Sequence, residues 1–199
     1  MLSHKKLDKT YLLIIIAHPD DESFLFAGTS LKLRESGKTE KILCATRGDR
    51  GGSGKIREQE MRAAARILKI KSIEFLGYED GNLKNTNFKK LVNVITKKIE
   101  TTQPAIVATF GREGISGHSD HVTIGKAAVA AAKKARHKAL AIWLVCKPSS
   151  VMKEFNEFLG LIRVHHNYFH AKPLKGVPDD KLLKVNIKKY RVKQILALP

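Results

Sequence analysis

The run Ala17-His18-Pro19-Asp20-Asp21-Glu22 sets an imidazole and a carboxylate three residues apart, with a second carboxylate beside them. On one turn, His18 and Asp21 can meet the same ion while Asp20 stays off it as a base. The same residues permit a purely structural use, in which Asp20 or Asp21 caps a following helix and Pro19 shapes the turn. A second run, Gly111 to His121 (GREGISGHSDH), supplies His118 and His121 three apart with Asp120 between them. One of these histidines can bind metal while the other faces a substrate. Two nitrogens and one carboxylate, with water in the fourth position, describe an open catalytic zinc site, whereas a structural site is closed by four protein ligands.

Both runs need elements that bring them together. Short apolar runs at Tyr11–Ala17, Lys41–Thr46, Ser72–Leu76, Ala105–Phe110 and Leu140–Val145 read as strands buried on both faces. Between them, Phe24, Ala27, Gly28 and Leu31 share a helical face, as do Met61, Ala64, Ala65 and Leu68. Phe88, Leu91, Val92 and Ile95 repeat the spacing, and so do Ile124, Ala127, Ala128 and Ala131. The alternation predicts an α/β fold, one domain over residues 1–199 with a mostly parallel sheet between helical layers. In such a sheet ligands bind beyond the carboxyl ends of the strands, where both chemical runs fall. Arg163–Phe169 and Lys181–Ile187 read as extra strands, followed by a final helix from Lys188. His165, His166 and His170 read as strand-surface histidines, because no carboxylate sits at ligand spacing from them.

Of the 199 residues, 37 are Lys or Arg and 19 are Asp or Glu, a formal charge of +18. Lys172–Pro199 holds eight basic residues against two aspartates, and Lys126–Lys138 holds five with no acid. Such a surface attracts phosphates, acidic glycans or anionic membranes, but aromatic residues are not interleaved as a single-strand nucleic-acid platform requires. Nucleic acid is therefore not the expected main partner; the charge suits an anionic substrate or an acidic neighbour in a homo-oligomer. Cys44 and Cys146 each sit in an apolar run, so neither a disulfide framework nor a zinc ribbon is expected. The apolar stretch Tyr11–Ala17 is too short to span a membrane and lacks a cleavage site, which predicts a cytoplasmic protein.

The chain resembles the LmbE-like, or PIG-L, family of zinc-dependent N-deacetylases. The carriers are AHPDDE at Ala17–Glu22 and GHSDH at Gly117–His121, with Thr46–Gly51, Arg57 with Glu60, and Phe75–Gly81 between them. The likeness runs in order from about Tyr11 to Ala135. It implies a Rossmann-like three-layer α/β/α sandwich and hydrolysis of an N-acetyl group, commonly on a glucosamine-like sugar. It also implies that His18, Asp21 and His121 bind zinc, or another divalent transition metal, and that Asp20 is the general base acting on a metal-activated water. His118 is then the candidate to stabilise the charged carbonyl oxygen and protonate the leaving amine. Asp120 can orient a histidine, cap a helix starting at His121, or do both, since the two roles are compatible.

The same resemblance points to Asp49, Arg57 and Asp80 as contacts for sugar hydroxyls. Arg57 has an ordinary alternative, an i,i+3 pair with Glu60. Asp49 stands where the family more often has Glu, and the end of the chain, Leu196-Ala197-Leu198-Pro199, lacks the His-x-Ser/Thr-Gln segment with which members commonly finish. The tail is thus expected to be reduced or incomplete. Two other functions fit the sequence: an amidohydrolase of the same fold acting on a different amide or glycosyl conjugate, and a basic protein that keeps the fold but binds nucleic acid or anionic surfaces.

Overall fold

The structure, a computed structural model, describes residues 10–161 and 174–199. Five strands form one parallel sheet: β1 (Leu12–Ile16), β2 (Glu40–Cys44), β3 (Ser72–Phe75), β4 (Ile106–Phe110) and β5 (Ala141–Val145), in the order β3-β2-β1-β4-β5. The run Leu-Leu-Ile-Ile-Ile of β1 is buried throughout, as a central parallel strand must be, and β-branched side chains pack well on such a pleated surface. The chain builds outward from β1 to β3, then returns to lay β4 on the other side of β1, with Leu12 opposite both Glu40 and Ile106. That reversal opens a crevice beyond the carboxyl ends of β1 and β4.

The helices are α1 (Ala27–Glu35), α2 (Gly54–Leu68), α3 (Phe88–Thr102), the short turn α4 (Gly114–Gly117), α5 (Ser119–Lys134), α6 (Ser149–Leu161) and α7 (Arg191–Leu196). α3 packs on α5, while α1, α2 and α7 form a second group. Crossovers between parallel strands are right-handed as a rule, and with the strand order reversing at β1 that rule puts the two groups on opposite faces of the sheet, the expected α/β/α layers. The predicted faces of α2 and α5 are buried, from Met61 to Leu68 and from Ile124 to Ala131. Among the described residues no helix is long and apolar enough to cross a membrane.

Several expectations are corrected. Phe24 does not join Ala27, Gly28 and Leu31 in the core: it is 56% exposed and Phe26 is buried instead. Residues Glu22–Phe26 form a π-helical turn, and the wider turn rotates Phe24 off the face a regular helix would give it. Phe88 is likewise exposed at the first turn of α3. β3 and β5 are sheet edges, so Ser72, Glu74 and Leu144 are exposed and these strands are not buried on both faces. Lys181–Ile187 forms no strand; a 3-10 turn at Asp179–Lys181 leads into irregular chain. The final helix appears as expected, as a 3-10 turn at Lys188–Tyr190 and then α7. The proposed strand Arg163–Phe169, with His165, His166 and His170, lies outside the described residues.

Candidate metal and catalytic site

β1 ends at Ile16 and β4 at Phe110, so the two chemical runs emerge side by side. Asp21 stands at the N-cap position of the π turn without capping it through its side chain. Its Oδ2 instead accepts the backbone amides of Ala17 (3.2 Å) and His18 (2.9 Å), curling the loop back on the strand end. Asp20 is held at φ 112°, a conformation costing about 1–3 kcal/mol for a residue with a side chain and one that clusters at functional sites. Ile115, in α4, is a second such residue at φ 66°, ψ −55°, in the rare γ-turn region.

The histidines converge. His18 Nδ1 lies 3.1 Å from His121 Nε2, His121 Nε2 lies 3.3 Å from Asp21 Oδ1, and His18 Nδ1 lies 3.9 Å from Asp21 Oδ2. The far nitrogens are occupied: His121 Nδ1 meets the Gly114 carbonyl at 3.0 Å, and His18 Nε2 meets Asp80 Oδ1 at 3.0 Å and Asp120 Oδ2 at 3.3 Å. Carbonyl and carboxylate oxygens only accept, so those far nitrogens carry the protons, an assignment inferred from the partners. With His18 neutral, the near nitrogens face each other as two lone pairs at 3.1 Å, a gap that a bound cation would fill; with His18 protonated, its Nδ1 donates to His121 Nε2.

Asp120 is fully buried and does not cap its helix. α5 starts at Ser119, capped by His118, whose Nδ1 accepts the Asp120 amide at 3.3 Å. The Asp120 carboxylate accepts the amides of Gly81 (2.7 Å) and Leu83 (3.1 Å) and faces His18, so it does not cap the helix as one expectation had it. Asp80 accepts the Arg50 amide at 2.8 Å. The stretch Gly81–Leu83 thus buttresses the histidine run through backbone groups. Arg57 makes the expected pair with Glu60 (2.7 Å), but its other nitrogen donates to Asp20 Oδ2 and to the Pro19 carbonyl, both at 2.8 Å. Asp49 is exposed at the rim, in a 3-10 turn over Gly54.

Burial sets most of the electrostatics. It pushes Asp21 up to about 7, although His18 and the His18 amide oppose the shift, and it lowers His121 to about 4 with help from neighbouring His18. Burial would lower His18 too, but the Asp120 hydrogen bond and the carboxylates of Asp21 and Asp80 overcome it and raise that histidine. Asp20 is raised by burial, against the pull of Arg57 and His18. Asp120 resists its burial through the bonds from His18, Gly81 and Leu83, and ends below the ordinary carboxylate range.

Two donor groups emerge around His18: one with His118 and His121, the other with Asp80 and Asp120. Sequence reasoning missed three supports. Phe110 stacks on His121 with ring centroids 4.2 Å apart, and reads from sequence only as a strand residue. Glu22 is buried and accepts the Asp20 amide at 3.0 Å. Gln194 of α7 donates to the carbonyls of Ser23 and Phe24 at 3.1 and 3.3 Å, so the chain's last helix does pack behind the site. No periodicity marks that glutamine.

Residues 13–132 match the profile of a family described as GlcNAc-PI de-N-acetylase, PIG-L. A probable N-acetyl-alpha-D-glucosaminyl L-malate deacetylase 2 of Bacillus anthracis is 33% identical over 132 residues, covering 60% of this chain and 58% of its own. The N-acetylglucosaminyl-phosphatidylinositol de-N-acetylase of Bos taurus is 31% identical over 120 residues, covering 58% and 47%. The chain thus spans about half the length of these curated relatives. The N,N'-diacetylchitobiose deacetylase from Pyrococcus horikoshii shares the fold, with a TM-score of 0.66 at 22% identity over 99% of this chain and 71% of that one.

Proposed function

The chain belongs to the PIG-L family, and from that premise we propose that it is a hydrolase removing the N-acetyl group from an N-acetylglucosamine-type substrate, with a divalent ion, zinc foremost, held by His18, Asp21 and His121. The observation that carries this is the convergence of His18 Nδ1 and His121 Nε2 to 3.1 Å, flanked by the Asp21 carboxylate. Ligands around a tetrahedral zinc stand about 3.3 Å from one another, so separations of 3.1, 3.3 and 3.9 Å suit such an ion. The Asp80 and Asp120 side of His18 suits it less, because Asp120 already accepts two backbone amides. Asp80 and Asp120 act as carboxylates that fix the tautomer of a ligating histidine.

When bound, the ion supplies Lewis acidity towards a water molecule and an amide carbonyl. Asp20 takes the proton from the attacking water. Its carboxyl, raised by burial, is a stronger base than an ordinary aspartate and is aimed by Arg57. The water oxygen bonds to the carbonyl carbon, the carbon–nitrogen bond breaks, and His118 passes its Nε2 proton to the departing nitrogen as the proton that Asp20 took from the water replaces it, yielding acetic acid and a free amine. With its Nδ1 bound to the Asp120 amide, His118 carries that proton on Nε2. Asp49, on the rim, meets sugar hydroxyls, while Arg57 and Asp80 act chiefly through Asp20 and His18.

The relatives named above act, by their names, on N-acetylglucosaminyl malate and N-acetylglucosaminyl-phosphatidylinositol, which supports an amino-sugar conjugate as substrate. A cytoplasmic location belongs to the same proposal and rests on the two free thiols, Cys44 and Cys146. The test is acetate release from a panel of N-acetylglucosamine conjugates by the zinc-loaded protein. Release that vanishes in Asp20→Asn supports the proposal, and a folded, zinc-loaded protein inactive across the panel overturns it.

A further inference from the structure

Beside the histidine cluster, where β4 and β5 end, lies a cavity of about 240 Å³. Its wall includes Arg112, Glu113 and Ile115 from the loop after β4, Cys146 and Lys147 from the end of β5, and Lys175. The frame is built by backbone bonds: the Val177 amide donates to the Lys147 carbonyl at 2.9 Å, and the Ser149 amide to the Val177 carbonyl at 2.8 Å. Gly176, at φ 71°, approaches so closely that a Cβ there would meet the Lys147 carbonyl at 2.9 Å.

Three cations face this space, and the one carboxylate among them is already engaged. Glu113 accepts the amides of Lys175 (3.1 Å) and Gly176 (2.9 Å), clamping that segment to the loop. Among the described residues, no carboxylate pairs with the side chains of Arg112, Lys147 or Lys175; Lys147 rests over the Phe155 ring. The sequence between the two described segments, residues 162–173, contains no acidic residue. Among the described residues the lining thus carries three cations against the single carboxylate of Glu113, and the cavity keeps a positive excess. It shares a wall with the reaction centre, because Ile115, strained at φ 66°, lines it and the neighbouring Gly114 carbonyl fixes His121. Strain of this kind persists where the surroundings hold it for a purpose.

We propose that this cavity is the subsite for an anionic group, a carboxylate or a phosphate, borne by the substrate on the part of the conjugate remote from the amide that is cleaved, with Arg112, Lys147 and Lys175 as its contacts. The inference rests on the deacetylase proposal and narrows it to anionic amino-sugar conjugates. A charge-assisted hydrogen bond contributes about tenfold or more to affinity, so three such donors give a clear preference.

The experiment compares kcat/KM for acetate release from the neutral methyl glycoside of N-acetylglucosamine with that from conjugates bearing a carboxylate or a phosphate. It uses the zinc-loaded full chain, its Arg112→Gln Lys147→Gln double variant and Lys147→Arg, with thermal midpoints confirming that each is folded. The expected result is a preference of tenfold or more for one charged conjugate, expressed in KM, weakened by salt, collapsed in the double variant and retained in Lys147→Arg. The carboxylate and phosphate arms identify which anion is read. Acetate release with no charge preference, or with a preference the double variant keeps, overturns the subsite and leaves the deacetylase proposal standing. If no compound releases acetate but inorganic phosphate or malate still binds the wild type and not the double variant in calorimetric titration, the subsite stands and the reaction falls.

Discussion

His18 Nδ1 and His121 Nε2 lie 3.1 Å apart although 103 residues separate them in the chain. Each ring is fixed from behind, by Asp80 and Asp120 in one case and by the Gly114 carbonyl in the other. The two nitrogens are thus aimed at one point by groups that do not themselves reach it.

Metal content separates the proposed set of His18, Asp21 and His121 from the donor group of His18, Asp80 and Asp120. Asp21→Asn and His121→Ala are expected to lose the ion, whereas Asp80→Asn keeps it with affinity reduced about 10–100-fold. Elemental analysis after equilibrium dialysis reads the difference. A loss in Asp80→Asn as complete as in Asp21→Asn would move the ion to the other side of the ring. In the wild type, zinc at a hundredfold excess over its dissociation constant adds about 2.7 kcal/mol of stability, visible as a rise in thermal midpoint that a chelator reverses.

Asp20→Asn removes the proposed base and leaves the ligand set untouched. General-base catalysis contributes about 10²–10⁴-fold, so kcat falls by that factor at unchanged zinc stoichiometry. A variant within tenfold of wild type would assign the proton to another group.

Glu40 titrates far from the site, at the first residue of β2, where both carboxylate oxygens are buried without a hydrogen-bond partner among the described residues. Burial pushes it up to about 8, only partly offset by Arg34. The folded state therefore holds a proton that the unfolded chain releases above its ordinary pKa. Stability is full below that ordinary value and falls as pH rises towards 8, by at most about 1.4 kcal/mol per pH unit. Glu40→Gln is expected to flatten this fall and to gain on the order of 2 kcal/mol relative to wild type at pH 8. Urea midpoints measured from pH 5 to 8 check it: parallel curves for the two proteins would show that Glu40 is not the group responsible.

Gln194 ties α7 to the π turn that follows the Asp20 loop. Removing its amide in Gln194→Ala leaves two carbonyls without that donor and costs about 1 kcal/mol, or about 2–4 °C in a chain of this size. Differential scanning calorimetry measures it. An unchanged midpoint would mean that water replaces the amide at no cost.

Much of the site was legible because its residues are crowded into two short runs. His18, Asp20 and Asp21 come from one loop and His118, Asp120 and His121 from another, and strand order alone brings the loops together. The roles within them were less legible. Asp120 is as good a cap as an orienting group by residue type, and only the positions of Gly81 and Leu83 take the capping role away. Phe24 failed for a related reason: a periodicity argument assumes 3.6 residues per turn, and the π turn at Glu22–Phe26 departs from that assumption. The edge strands failed because composition reports how apolar a run is, not how many neighbours the sheet will give it.

The parallel topology also imposes an order of events. During synthesis His18 and Asp21 leave the ribosome about a hundred residues before His121, and β1 cannot gain β4 as a neighbour until that long loop closes. Non-local closures of this kind are the slow steps of folding. With the proposed ligands His18, Asp21 and His121, the nascent chain would spend its early life with half a coordination sphere, too few ligands to hold an ion firmly, and would take up its metal at the end of folding and not at the beginning.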